Sequence, residues 1–430
     1  MSRSKSDFSL YDKTLPNGVR IIALSMAKAD YVSFAIGISA GSRDDPPGRD
    51  GTAHLLEHMM MTATASRPKT RMLYGEFDAL GGASNMLTNV DCTQLNINVI
   101  PEDMPRAAEL VFDVLKNARW NKKHLALEKG VIISELQEDD DDPEQSNNSR
   151  LGMMLFEGSP LEHRSEGNAR SVTSITNGEL HAFRDAYYCG ENIVVCIAGA
   201  ISRRDVNRYI VPLFSKFKKG ERKPTPTFEV SQTEPRVETR ERSFKQLWLA
   251  LGFTFGGMSA KEILTLDVVT SMLGDNAWSS LFFSKIRQAG LTYDIGISTD
   301  VLQDVGYVTI LGSTNHHDDK EALRKIFSIL KRIKENVSSK ALQFFKDYTC
   351  RQLALEATSA GFHSQDILEE AIRGREILTP HEQIDVVRAV TRKDFLEVTN
   401  KVFDFSRTNL SLMGPCRSPN VYRRIIEEFL

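Results

Sequence analysis

The sequence predicts an α+β protein of two structurally related domains, each a mostly antiparallel sheet with helices packed on it. Three observations predict it. Strand-like and helix-like stretches alternate along the chain, a polar Pro-rich stretch interrupts them, and the order of strands and helices before the interruption recurs after it. A repeat unit this long points to related domains and away from a solenoid of short repeats. The expected boundaries are 1–217, a linker over 218–242, and 243–430.

The first element is a hairpin, in which "SLYDKT" and "VRIIALSM" flank "LPNG" and Asn17-Gly18 supplies the positive-φ turn. "YVSFAIGISAG" reads as a buried strand, followed by a Pro/Gly/Asp loop and a helix through "GTAHLLEHMMM". A helix through "TRMLYGEFDAL" stops at Gly81-Gly82, where glycine suits a left-handed cap. Strands near "ASNMLTN" and "CTQLNINVI" precede a helix through "EDMPRAAELVFDVLKNA". "HLALEKGVIISELQE" continues as helix despite Gly130, which costs roughly 1 kcal/mol. The acidic run "QEDDDDPEQ" reads as a solvated loop. "NIVVCIAGAI" is a further strand, and "KKGERKPTPTFEVSQTEPRVETRE", with three prolines among charges, is the linker. Beyond it come the strand "KQLWLALGFTF", the helix "KEILTLDVVTSMLG", paired strands "LTYDIGISTDV" and "GYVTILGSTN", and the amphipathic helix "DKEALRKIFSILKRI". That last strand and helix stand where "TQLNINVI" and "AAELVFDVLKN" stand in the first half.

Composition narrows the function. The 430 residues are 41% hydrophobic and 26% charged, enough for a full core, and the net charge of −3 makes nucleic acid an unexpected partner. The five cysteines (Cys92, Cys189, Cys196, Cys350, Cys416) form no CxxC pair, which argues for a reducing compartment and against a thiolate zinc site. The amino terminus lacks an apolar signal core, and the longest apolar run, Ile193 to Ile201, falls short of the ~18 residues of a membrane span. The expectation is a cytoplasmic protein with no membrane partner.

The chemistry concentrates at His54, Glu57 and His58. Residues four apart lie one turn above each other on a helix, so the two histidines share a face, and Glu57 lies within about 100° of both. Two imidazoles suit zinc, and a carboxylate between them suits the base that deprotonates a water. The competing reading of the motif is an ordinary amphipathic helix with polar residues near its end. A catalytic zinc also needs a third ligand on another element. Glu128 and Glu135, seven apart, lie on nearly one helical stripe, although isolated glutamates on a helix ordinarily mark a solvated face.

Four segments together carry a resemblance: "LPNGVRII", "GSRDDPPGRDGTAHLLEHMMM", "LGGASNMLTNVDCT" and "LEKGVIISELQEDDDDPE". The chain resembles the pitrilysin/insulinase family of zinc peptidases, the inverzincins, and most of all their short two-domain members such as mitochondrial processing peptidase. The resemblance extends over nearly the whole chain. It implies one zinc per chain held by His54, His58 and Glu135, Glu57 as general base, and Glu128 as a catalytic-site carboxylate that orients a ligand or tunes the water. It also implies that "LGGASNMLTN" opens an edge strand on which a peptide pairs through Asn85, Met86, Leu87 and Thr88, with Met86 where a small alanine is usual. In "LGDNAWSSLFFSKIRQAGLTYDIG", the resemblance places a substrate-binding Arg/Tyr pair on Arg287 and Tyr293, donors for an oxyanion or the peptide backbone.

The resulting expectation is a zinc metalloendopeptidase that cuts short or unfolded peptides in a chamber formed by dimerisation, as a homodimer or a heterodimer with a homologous chain. Two other readings stand beside it: a non-catalytic assembly subunit like the core proteins of respiratory complexes, and a metal-dependent lyase of related fold.

Overall fold

The structure, a computed structural model, describes residues 7–82, 84–274 and 277–430. Its first sheet contains β1 (Phe8–Thr14), β2 (Arg20–Met26), β3 (Val32–Ile38), β4 (Ser84–Thr88), β5 (Thr93–Val99) and β6 (Ile193–Gly199) in the order β1-β2-β6-β3-β5-β4. Only β2 and β6 run parallel, and β4 forms one free edge. The β1–β2 hairpin closes as expected, with Gly18 at φ 93° and Leu15 N–H donating to Val19 O at 2.8 Å.

The second sheet holds β7 (Arg236–Glu241), β8 (Leu247–Gly256), β9 (Asp294–Val301), β10 (Val305–Thr314) and β11 (Asn409–Gly414) in the order β7-β11-β8-β10-β9. Again one pair is parallel, β7 with β11. Laid over the first sheet, β7, β11, β8, β10 and β9 match β2, β6, β3, β5 and β4 in position, direction and chain order. The two domains are therefore related in topology, as the recurring pattern predicts, and β10 with the helix Asp319–Glu335 repeats β5 with its own following helix.

The compact units are not the contiguous halves expected from the sequence. One comprises Met1–Leu136, His163–Pro226 and Ala354–His381; the other comprises Gln137–Glu162, Thr227–Leu353 and Glu382–Leu430. Each sheet is thus covered by a helix drawn from the opposite half of the chain. On the first, the helix Ala360–Ile372 packs over β3 and β6, and Gly37 makes room for it: a Cβ there would lie 2.6 Å from Ile372 Cδ1. On the second, the helix Pro143–Leu155 packs over β8 and β11, and a Cβ at Gly252 would meet Leu155 and Leu151 at 3.1 and 3.2 Å. Polar pins fix both: Ser33 Oγ to Ser364 Oγ at 2.8 Å, and Ser411 Oγ to Asn147 Oδ1 at 2.7 Å.

Two further expectations change. The stretch 218–242 is not linker throughout, because its end forms β7, an edge strand without deeply buried side chains and hence without an apolar alternation to read. "QEDDDDPEQ" is exposed but not a loop. A helix from Lys122 runs to Asp141, and Asp142 caps the next one by accepting from the N–H groups of Glu144 and Gln145 at 2.9 Å each. Among the described residues no helix is long and apolar enough to cross a membrane.

Candidate metal centre

The centre is built on α1 (Thr52–Met60), which follows β3 through the Pro/Gly/Asp loop. Ala53, Leu55, Leu56, Met59 and Met60 are buried in the core of the first unit, so the helix has one permitted rotation, and His54 and His58 project from its other face. Its start is tightly specified. Gly51 sits at φ 90° with Glu166 O so close that a Cβ would have no room. No side chain within the helix caps it. Instead Asp45, upstream, accepts from the N–H groups of Gly51 (2.7 Å) and Ala53 (2.8 Å), placing a carboxyl group at the positive end of the helix, where burial pushes its pKa up to about 8 and these two bonds oppose that rise. Arg49 in the same loop is bound to Glu179 at 2.6 Å.

His54 and His58 stand edge to face, with ring centroids 4.7 Å apart. Ligand atoms of His54, Glu57 and His58 all lie within 4.8 Å of one another. The two glutamates seven apart come from α2 (Lys122–Asp141) and both reach His58: Glu128 Oε2 lies 3.1 Å from Nδ1, and Glu135 Oε2 lies 3.7 Å from Nε2. Because a carboxylate opposite Nδ1 can only accept, Nδ1 carries a proton, and Nε2, on the Glu135 side, is the nitrogen free of that bond and able to ligate a metal. Burial works against charge on His58, but the Glu128 hydrogen bond and the carboxylates of Glu57 and Glu135 outweigh it and raise its pKa. His54 behaves oppositely. Burial, assisted by His58, lowers it to about 4, so its imidazole is neutral at pH 7.

These residues fit a divalent metal. His54 Nδ1 is buried without a hydrogen-bond partner, an expensive condition that a ligated ion would relieve at this ring. Two imidazoles and a nearby carboxylate form a donor set of the kind zinc takes in catalytic sites. Glu57 is the buried member of the group, and burial raises its pKa to about 7 despite the Thr88 hydroxyl that donates to its Oε2 at 2.8 Å.

Beside Glu57 and His58 opens a cavity of about 380 Å³ whose walls include Met61, Tyr74, Phe77, Met86 and Leu95. Of the expected peptide-pairing residues on β4, Asn85 is exposed, Met86 is turned down into this cavity, Leu87 is half-buried, and Thr88 points at Glu57. Arg287 and Tyr293 lie in the second unit, where the structure brings them together. Arg287, at the end of a π-helical turn Phe283–Arg287, donates from Nε to Tyr293 O at 3.1 Å, and Tyr293 is 74% exposed. Reasoning from sequence did not find Tyr74, Phe77 or Leu95 as cavity walls, and it assigned Thr88 to the peptide without its bond to Glu57. Nothing local marks these residues, since each acquires its place through contacts between separate elements.

The chain is similar to known proteins over most of its length. Residues 20–168 match the family model described as insulinase (peptidase family M16), and residues 174–347 match that of the peptidase M16 inactive domain. An uncharacterized zinc protease of Rickettsia bellii is 24% identical over 402 residues, covering 93% of this chain and 96% of its own. A probable mitochondrial-processing peptidase subunit beta of Arabidopsis thaliana is 28% identical over 267 residues, covering 61% of this chain and 50% of its own. Among solved structures, a protease from Helicobacter pylori superposes with a TM-score of 0.88 at 19% identity, covering 95% of this chain and 100% of that one. With two models of one family matching residues 20–168 and 174–347, well over half of the chain, and the His–Glu–His helix lying within the first match, this chain belongs to the insulinase-type peptidase family M16.

Proposed function

We propose that the chain is a zinc-dependent endopeptidase acting on short or unfolded peptides. The observation that carries this reading is the convergence on His58 of carboxylates from a second helix, with His54 and the buried Glu57 alongside. In this reading His54, His58 and Glu135 hold the zinc and Glu128 keeps His58 in its ligating tautomer. The metal, when bound, supplies Lewis acidity for the scissile carbonyl and the attacking water. Glu57 takes a proton from that water and returns it to the leaving amine as the peptide C–N bond breaks, work suited to a carboxyl raised to about 7. The peptide adds to the free edge of β4, where backbone pairing gives affinity with little demand on sequence, and its side chains sample the adjoining cavity.

We further propose that the working form is a dimer, a homodimer in its simplest version, with Arg287 and Tyr293 as donors to the peptide and the cytoplasm as the compartment. The completeness of the His–Glu–His set favours this over a non-catalytic assembly subunit.

Purified protein and Glu57→Gln are incubated with an unstructured peptide mixture, and products are read by mass spectrometry. The wild type should cleave and the variant should not, with equal zinc content in both. A variant that retains a substantial fraction of activity would remove Glu57 from the reaction. A fully active monomer in sedimentation would refute the dimer.

A further inference from the structure

Thr88 lies on the strand expected to carry substrate, yet its hydroxyl is committed elsewhere. Thr88 Oγ1 is 2.8 Å from Glu57 Oε2 and 3.4 Å from Thr93 Oγ1. Thr93, buried on β5, directs its own hydroxyl to the carbonyl of Ala40 at 3.1 Å, so it has no proton left for Thr88. The single Thr88 proton therefore goes to the nearer and more strongly accepting partner, the Glu57 carboxylate. No other donor among the described residues reaches Glu57, so Oε1 is left without a protein partner on a side chain that lines the cavity.

We infer that Thr88 is a positioning residue for the base: its hydroxyl occupies Glu57 Oε2 and thereby makes Oε1 the oxygen that accepts the proton. This rests on the peptidase reading above. In the step concerned, the water oxygen bonds to the scissile carbonyl carbon as one of its O–H bonds breaks and that proton goes to Oε1, and the same proton then passes to the leaving nitrogen as the C–N bond breaks. Oε2 keeps its bond to Thr88 throughout, so Glu57 need not rotate between accepting and donating. Because Thr88 is part of β4, the strand that receives the peptide and the oxygen that takes the proton are tied by one hydrogen bond. A peptide well paired on β4 fixes Thr88, and Thr88 fixes the base, which converts binding along the strand into rate at the reacting bond.

The test uses Thr88→Val, which keeps the shape and β-branch and removes the donor, and Thr88→Ser, which keeps the donor. With metal content equal throughout, Thr88→Val should lower kcat by about tenfold to a hundredfold, the usual consequence of a misaligned catalytic group, with KM within about twofold. Thr88→Ser should restore most of the rate. In a Glu57→Gln background, adding Thr88→Val should leave the affinity for a fluorescent peptide unchanged. A raised KM at unchanged kcat, or weakened peptide binding in that background, would mean that Thr88 serves the peptide and would overturn the inference. So would a Thr88→Val enzyme as fast as wild type, or a Thr88→Ser enzyme as slow as Thr88→Val. A wild-type chain that cuts nothing defeats the peptidase reading itself, and with it the inference, and is distinct from every outcome in which wild type cuts.

Discussion

Glu128 and His58 face each other across 3.1 Å, with the carboxylate on the ring nitrogen that points away from Glu135. The pairing fixes the ring's tautomer and plane before any metal arrives. Glu128→Gln should therefore lower metal affinity by about ten- to a hundredfold while leaving the fold intact, and Glu128→Ala should do more. Competition with a chromophoric chelator measures this directly. Affinity unchanged in both variants would show that His58 needs no such support.

Asp45 holds the first turn of the metal-bearing helix from outside it. Asp45→Ala should cost about 0.5–2 kcal/mol, the range for loss of a helix cap, and Asp45→Asn less. Thermal or urea unfolding reads the difference. Metal affinity should fall with it, because His54 is only three residues beyond Gly51.

His363, on the helix Ala360–Ile372, is 2% exposed and sits among the rings of Phe8 and Phe362. Burial lowers its pKa from 6.5 to about 4. The unfolded chain binds this proton more readily than the folded one, so the stability concerned is fully present above pH 6.5 and is lost as pH falls towards 4. The shift corresponds to on the order of 3 kcal/mol. His363→Phe should flatten the decline in unfolding midpoint over that interval, leaving the carboxylate-driven loss at lower pH. An unaltered slope would assign the decline to other groups.

Gly37 and Gly252 occupy matching strands but are not equally confined. At Gly37 a methyl group would press on Ile372 and Leu368 at 2.6 and 2.8 Å, whereas at Gly252 the nearest atoms lie at 3.1 Å. Gly37→Ala should destabilise by about 1–3 kcal/mol, and Gly252→Ala should be near neutral, since it relieves the entropy cost of a strand glycine. Adding Ile372→Val should recover part of the Gly37→Ala loss. Equal effects at the two sites would mean that both helices yield alike.

What could be read from sequence was local. The spacing of His54 and His58 and the interval between Glu128 and Glu135 need only helical geometry, and the structure has each pair on one helix. The alternating strands and the Asn17-Gly18 turn are local in the same sense. What escaped depended on distant partners. β7 is stabilised by pairing with β11, far along the chain, and carries no buried side chains to announce it. The helices Pro143–Leu155 and Ala360–Ile372 carry no mark of which sheet they cover, and the first buries Ser146 and Asn147 beside its leucines. Thr88 meets Glu57 only because β4 folds back past the end of α1.

The crossing-over of helices also sets a timetable for synthesis. All the proposed metal-holding side chains are made by residue 135, but the sheet behind them waits for residues 360–372 to cover Gly37 and its neighbours. A nascent chain stalled after the first half would display β3 and β6 bare on one face, a ready target for chaperones or aggregation. Expressed alone, the first half should be insoluble until a fragment carrying those later residues is supplied in trans.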